Sequence, residues 1–443
     1  MNRIFLLVLS CVLVFFGGNG PQNKIAFTTF WRLGGLTKCE HPEHEFCPEE
    51  EKAVTNASFV YCTADTLIGG LSGIVLDIAG PGLTLALGHA MVTASYIGFL
   101  PLGVMPVAVS LGLQGVAIQT VSNAVMTVAS LFPNQSKFLI AAISAMCELG
   151  ALQFTLGNSI VTSGLATYSS VVLALIGFGF VAVMLGLFVF PNKPFDAPAD
   201  SVVLDTERSS MLRASVYVER PSVGLMSFKP FRSETEVVTD AIFSHNYILF
   251  AVFWLVLAFS TVTYNIIIDQ VFIHAGVNEE LGPFYEYLLP ACVLAGLVNG
   301  VLMDRLGLVF QSFYMNALLA VALAVGFFAE TTGWHYVGAS SFLLMRGSCY
   351  TLLISYLYEV FDSQHFGVLY STAATSLGLL TLTLATSLNA LVDRITPAGE
   401  PLRWTPVVGG MLVAVLLSFG VLAPLTGQAS TVKKERKESS VLV

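Results

Sequence analysis

The sequence predicts an all-α membrane protein of twelve transmembrane helices in two pseudo-symmetric six-helix halves. Three observations carry that expectation. The chain of 443 residues is 55% hydrophobic and only 11% charged, whereas a soluble domain carries about 25% charged residues. A surface so poor in charge suits lipid. Apolar runs of roughly 20 residues, enough to cross a bilayer, recur along the chain. They are continuous rather than alternating, which favours helices over membrane strands. Finally, one short phrase occurs at equivalent places in the two halves.

Taken in order, the apolar runs lie near 3–32, 57–79, 83–104, 106–131, 137–163 and 166–190. After a polar stretch they resume near 245–275, 282–303, 308–329, 334–358, 364–391 and 405–426. This divides the chain into an N-terminal half at 1–190 with an outer loop at 33–56, a central loop at 191–244, a C-terminal half at 245–426 and a basic tail at 427–443. The first run begins behind Arg3 and has two readings. Met1 to Phe16 could be a signal peptide, but Ile25 to Trp31 resumes the apolar character and no small-x-small site follows. An uncleaved helix broken at Gly17-Gly18-Asn19-Gly20-Pro21 is the expectation. The central loop mixes both charges with Pro and Ser and reads as a disordered tether.

Lys and Arg orient the chain. With the N-terminus in the cytosol, that side gathers Arg3, Lys137, the cations of the central loop, Arg305 and the cluster Lys433-Lys434-Glu435-Arg436-Lys437. The sequence therefore predicts both termini in the cytosol. The terminal cluster reads as a membrane-adjacent tail, not a nucleic-acid site. Asn56-Ala57-Ser58 is then a sequon on the outer side, with Asn56 a candidate glycosylation site. A sugar on Asn134, whose loop is expected inside, would overturn this topology.

The repeated phrase is Gly-x-x-x-Asp-x-x-Gly. It runs from Gly73 through Asp77 to Gly80, and again from Gly300 through Asp304 to Gly307. Both copies close the second helix of a half on the cytosolic side. The first Gly lets a neighbouring helix approach, the Asp can accept hydrogen bonds at the membrane edge, and the second Gly permits a sharp turn. Here the sequence resembles the major facilitator superfamily, whose signature joins the second and third helices. It departs in lacking the usual basic residue after the second Gly, where Pro81-Gly82 and Leu308 stand. The resemblance makes Asp77, Gly80, Asp304 and Arg305 a candidate conformational gate.

A narrower resemblance lies over about 340–401. Met345-Arg346-Gly347-Ser348 is followed by Phe361-Asp362-Ser363-Gln364-His365-Phe366-Gly367 and later by Gly399-Glu400-Pro401. This is similar to solute carrier family 43, the L-type amino-acid facilitators and their protozoan relatives. The resemblance implies facilitated transport of neutral amino acids without an obligatory ion. One branch of that family takes purine nucleobases, so the solute stays open.

Arg346 is the strongest candidate for a solute contact. An Arg at membrane depth costs several kcal/mol unless it is paired or wet. It either captures a carboxylate through its two-pronged guanidinium or forms a buried ion pair with Glu148 or Asp65. Glu148 in the fifth run could bind an amino group, carry a proton in a symporter, or partner Arg346. Asp65 and Glu286 read as gate or helix-end contacts, and Asp269 as solvated. Gln119 and Asn123 lie one turn apart; amides at that depth, with Asn158, recognise polar solutes or bind helices together. Asn19 marks the break in the first run, where exposed backbone could meet solute. His89 reads as a packed side chain, and His365 as structural.

Cys39-Glu40-His41-Pro42-Glu43-His44-Glu45-Phe46-Cys47 offers a zinc-like set of ligands. On the oxidising outer side, a Cys39–Cys47 disulfide is the stronger reading. The other five Cys fall in apolar runs and read as packing residues. No nucleophile–base phrase, phosphate loop or metal cluster stands within the runs, so no enzymatic activity or cofactor is expected. A receptor or scaffold would need signalling domains that the sequence lacks. The expected partners are a small organic solute, with an amino acid favoured, and the lipid bilayer. The expected location is the plasma membrane, with the chain working as a monomer.

Overall fold

The computed structural model describes residues 3–35, 48–101, 105–132, 136–191, 239–329, 331–361, 366–395 and 404–439. Among these residues there are fourteen α-helices, two short 3-10 turns and no strand. The N-terminal half holds α1 (Arg3–Phe15), α2 (Lys24–Leu33), α3 (Pro48–Ile97), α4 (Val107–Met126), α5 (Ser136–Leu149), α6 (Leu152–Thr162) and α7 (Tyr168–Phe188). The C-terminal half holds α8 (His245–His274), α9 (Asn278–Leu306), α10 (Leu308–Phe328), α11 (Thr332–Arg346), α12 (Cys349–Val360), α13 (Phe366–Ile395) and α14 (Thr405–Ser439).

Among the described residues, each predicted apolar run falls mostly on helix. Six stretches among the described residues are long and apolar enough to cross a membrane: Phe138–Thr162, Tyr168–Phe188, His245–Ile273, Leu308–Phe328, Thr332–Leu357 and Thr405–Leu422. Shorter apolar helices occur at Arg3–Phe15, Cys292–Met303 and Val368–Leu384. The exterior is apolar as a lipid-facing surface requires. Phe188 on α7 is 76% exposed and Leu417 on α14 is 71% exposed.

The repeated phrase has a matching shape. Within the range of α3, the second and third predicted spans are two helices that meet at a kink, where Gly80 takes the non-helical φ 76° and ψ 169°. Gly307, between α9 and α10, takes φ 87° and ψ 164°. Only glycine enters that region without strain, so both halves turn the chain by the same device. Arg305 is exposed beside the second turn. The side chains of Asp77 and Asp304 lie outside what the structure describes.

Three spans are interrupted, where the sequence predicts one. The first breaks between α1 and α2, across a 3-10 turn at Gly20–Gln22. The fifth breaks at Gly150-Ala151, and the tenth at Gly347-Ser348. The last two lack proline. Their glycines instead admit a neighbouring carbonyl. A Cβ on Gly150 would stand 2.6 Å from the Phe15 oxygen, and one on Gly347 would stand 3.0 Å from the Cys292 oxygen.

Small residues also let the halves approach each other. Gly296 and Gly300 of α9 face Ala145 and Ala141 of α5. Gly378 of α13 lies against Leu67 of α3, where an added Cβ would come within 2.5 Å of backbone atoms. The cysteines that the sequence places in apolar runs are free thiols, with Cys62, Cys292 and Cys349 buried. Cys39 and Cys47, half of the outer loop and nearly all of the central loop lie outside the described residues.

Candidate functional site

The three breaks meet at one place. Arg346 ends α11 at the tenth-span break, Glu148 stands two residues before the fifth-span break, and Gln22 lies in the first-span break. Breaking a helix frees backbone groups, and each of these needs a partner inside the bundle. Asn19 is fully buried. Its amide donates to the Cys147 carbonyl at 2.7 Å, and its Oδ1 accepts from the Tyr61 hydroxyl at 3.3 Å. Asn19 thereby clamps the first break to the fifth. Asn23 caps α2 through the Ala26 N–H, and the Gln153 amide donates to the Phe15 carbonyl. At the tenth-span break, Asn299 donates to the Leu344 carbonyl and the Ser348 hydroxyl, and the Trp254 indole donates to the Cys349 carbonyl.

These contacts hold Arg346 at a junction of both halves. It is 5% exposed. One terminal nitrogen donates to the Gln22 side chain at 2.7 Å and lies 3.3 Å from Glu148. The other donates to Asn265 at 3.2 Å and Tyr285 at 3.4 Å. Asn265 in turn accepts from the Tyr285 hydroxyl and donates to the Gln22 carbonyl at 2.9 Å. The ion pair with Glu148, one of the two readings from sequence, is present. The guanidinium also donates to the neutral acceptors Gln22, Asn265 and Tyr285, which fix the orientation of a fork suited to a planar anion.

The remaining sequence candidates separate. Gln119 accepts from the Tyr370 hydroxyl of α13 at 3.1 Å, a contact between halves. Asn123 donates to Ser72 within the N-terminal half at 2.6 Å, and Asn158 donates to the Ala26 carbonyl at 2.8 Å. The last two act as ties between helices. Asp65, read from sequence as a gate or helix-end contact, is instead buried with Gln119 beside it. The packing of α3 against α4 carries it into the interior. Asp269, expected to be solvated, is only partly exposed. It pairs with buried Lys24 at 2.8 Å, because α2 places that ammonium against α8. Thr55 accepts from both Lys24 and Gln270 at 3.2 Å. Sequence reasoning missed Gln22, Asn265, Tyr285 and the Lys24–Asp269 pair. A lone amide in an apolar run, as at Asn265, was the one signal available.

The chain was compared with known proteins. It aligns with a crystal structure of a double-tryptophan mutant of XylE, a major facilitator, at a TM-score of 0.65, covering 94% of this chain and 96% of that one at 13% identity. The chain has the major facilitator fold. No family model matches the sequence. Among curated proteins, the chain is 22% identical over 378 residues to "Amino acid transporter 6-1" of Toxoplasma gondii, covering 80% of this chain. It is 22% identical over 251 residues to "Aromatic and large neutral amino acid transporter 5-3" of Toxoplasma gondii, covering 53% of this chain. It spans 64% and 49% of the lengths of those two relatives.

Proposed function

We propose that this major facilitator is a carrier of neutral amino acids, moving them down their gradient by alternating access between two six-helix halves of twelve spans. The observation that carries the reading is Arg346, a fixed guanidinium at the junction of three broken spans. Glu148 occupies the position that a solute carboxylate would take. Gln22, Asn265 and Tyr285 hold the guanidinium when the carboxylate changes. The names of the two relatives favour amino acids over other small solutes.

In this reading Gln119 and Asn19 line the path between halves, and Asn123 supports it from behind. The turns at Gly80 and Gly307, with Asp77, Asp304 and Arg305, form the cytosolic gate. The termini face the cytosol, Cys39 and Cys47 join in the outer loop, and Asn56, exposed on α3, carries the sugar at the plasma membrane.

The test is uptake of labelled amino acids and nucleobases into cells expressing the full chain, with surface expression matched. Saturable uptake of neutral amino acids is expected. Arg346→Ala removes it, and Arg346→Lys does not rescue it, because an ammonium cannot reproduce the fork. Nucleobase uptake without amino-acid uptake would sink the assignment. A second reading, proton-coupled uptake through Glu148, is favoured by that carboxylate's place inside a broken span against Arg346. It requires uptake to acidify the cytosol and Glu148→Gln to abolish the acidification.

A further inference from the structure

We propose that Asp65 is the subsite for the substrate's ammonium group, so that the carrier selects zwitterions and rejects carboxylates that lack an amine. This rests on the amino-acid reading above and assigns its second contact. The geometry starts at Gly115 of α4. A Cβ there would stand 2.3 Å from the Tyr61 carbonyl oxygen and 2.9 Å from the Asp65 nitrogen. Its absence lays α4 directly on the backbone of α3. Gln119, one turn further along α4, consequently stands beside the Asp65 carboxyl. Gln119 also accepts the Tyr370 hydroxyl from the opposite half. Asp65 therefore lies where the halves meet.

Asp65 is 3% exposed, and its Oδ1 has no hydrogen-bond partner. Among the described residues, the ionisable groups within electrostatic reach are Glu148, Tyr61, Cys62, Cys147, Tyr350 and Tyr370. None of them is a cation. The nearby cation, Arg346, is matched with Glu148. A buried carboxylate without a countercharge is costly. It is stabilised by a proton or by an arriving cation. Tyr61, one turn before Asp65 on α3, donates to Gly18 and Asn19 in the first-span break. That links Asp65 to the break from which Gln22 meets Arg346. A solute carboxylate that displaces Glu148 from Arg346 leaves two carboxylates, Asp65 and Glu148, facing one ammonium with three N–H donors.

The experiment measures competition against uptake of a labelled neutral amino acid into cells expressing the full chain. The competitors are the same amino acid and its des-amino carboxylate, in acidic and in neutral medium. For the unmodified carrier, the amino acid competes and the des-amino acid does not. In Asp65→Asn, the KM for the amino acid rises about tenfold or more, the range of a lost charge-assisted hydrogen bond. The two competitors then become equivalent. Equal competition by both in the unmodified carrier overturns the proposal without any variant. So does an Asp65→Asn carrier that keeps its discrimination and loses only its response to pH, which makes Asp65 a proton site. Absence of amino-acid uptake in the unmodified carrier overturns the functional reading itself, a result distinct from the other two.

Discussion

Two buried ion pairs join the halves of this molecule, and they are built differently. Lys24 and Asp269 form a short pair at 2.8 Å with few additional partners. The ammonium is a compact point charge, satisfied by one carboxylate and the Thr55 hydroxyl. Arg346 and Glu148 lie further apart, at 3.3 Å. The guanidinium there is surrounded by Gln22, Asn265 and Tyr285, and a second buried carboxyl stands nearby at Asp65. The first pair is complete in itself and has no unmet charge. The second is over-provided with acceptors and has a buried carboxyl nearby, that of Asp65, with no cation paired to it among the described residues. A contact that only has to close should look like the first. A contact that has to exchange one partner for a solute should look like the second.

Exchanging the charges tests that contrast and has the largest expected effect. Breaking either pair costs about 3–5 kcal/mol where the remaining charge stays buried. Lys24→Asp loses uptake, and the double variant Lys24→Asp with Asp269→Lys recovers most of it, since the pair needs only opposite signs. Arg346→Glu with Glu148→Arg recovers none, since the acceptors that orient the guanidinium stay where they are. Both are read as initial uptake rates at matched surface expression. If both swaps recover, Arg346 is a lock like Lys24 and not a solute contact.

Gly378 comes next. Its Cα lies so near Leu67 that a methyl group would meet backbone atoms, which cannot swing aside as a side chain can. Overpacking of this kind costs about 1–3 kcal/mol, a shift of roughly 5- to 150-fold when it falls on one of two conformations. Gly378→Ala should leave the protein at the surface and slow transport by biasing the halves away from this arrangement. Cysteine accessibility at the two ends of the bundle reads the bias. Unchanged accessibility and unchanged uptake would show that the Gly378–Leu67 contact does not change during transport.

Much of the architecture was legible in the sequence, and the reasons are physical. Apolar length is read directly, since lipid fixes how long a span must be. The turns at Gly80 and Gly307 were legible because a positive φ demands glycine, and that demand recurs in both halves. The Gly/Pro cluster announced the first break, and Arg346 stood out as a cation inside an apolar run. The breaks at Gly150 and Gly347 were not legible. A single glycine in a span usually serves packing, and only the neighbouring carbonyl reveals the difference. The Lys24–Asp269 pair was hidden for another reason. Its members are 245 positions apart, and each sits near the end of an apolar run, where a charge ordinarily meets water. Asp65 was misplaced for the same reason, because depth along a span says nothing about which face a residue presents.

The smallest expected effect concerns Asn123, and it separates recognition from cohesion. Sequence spacing groups Asn123 with Gln119, yet the two amides point to different partners. Gln119 reaches the opposite half through Tyr370, whereas Asn123 donates to Ser72 inside its own half. A hydrogen bond between membrane helices averages about 0.6 kcal/mol. Asn123→Ala should lower the melting temperature of the purified carrier slightly and leave the KM unchanged. Gln119→Ala should shift the KM with little loss of stability, since its bond spans the interface between the halves. Should Asn123→Ala shift the KM as much as Gln119→Ala does, the solute reaches behind α4, and the division between the two amides fails.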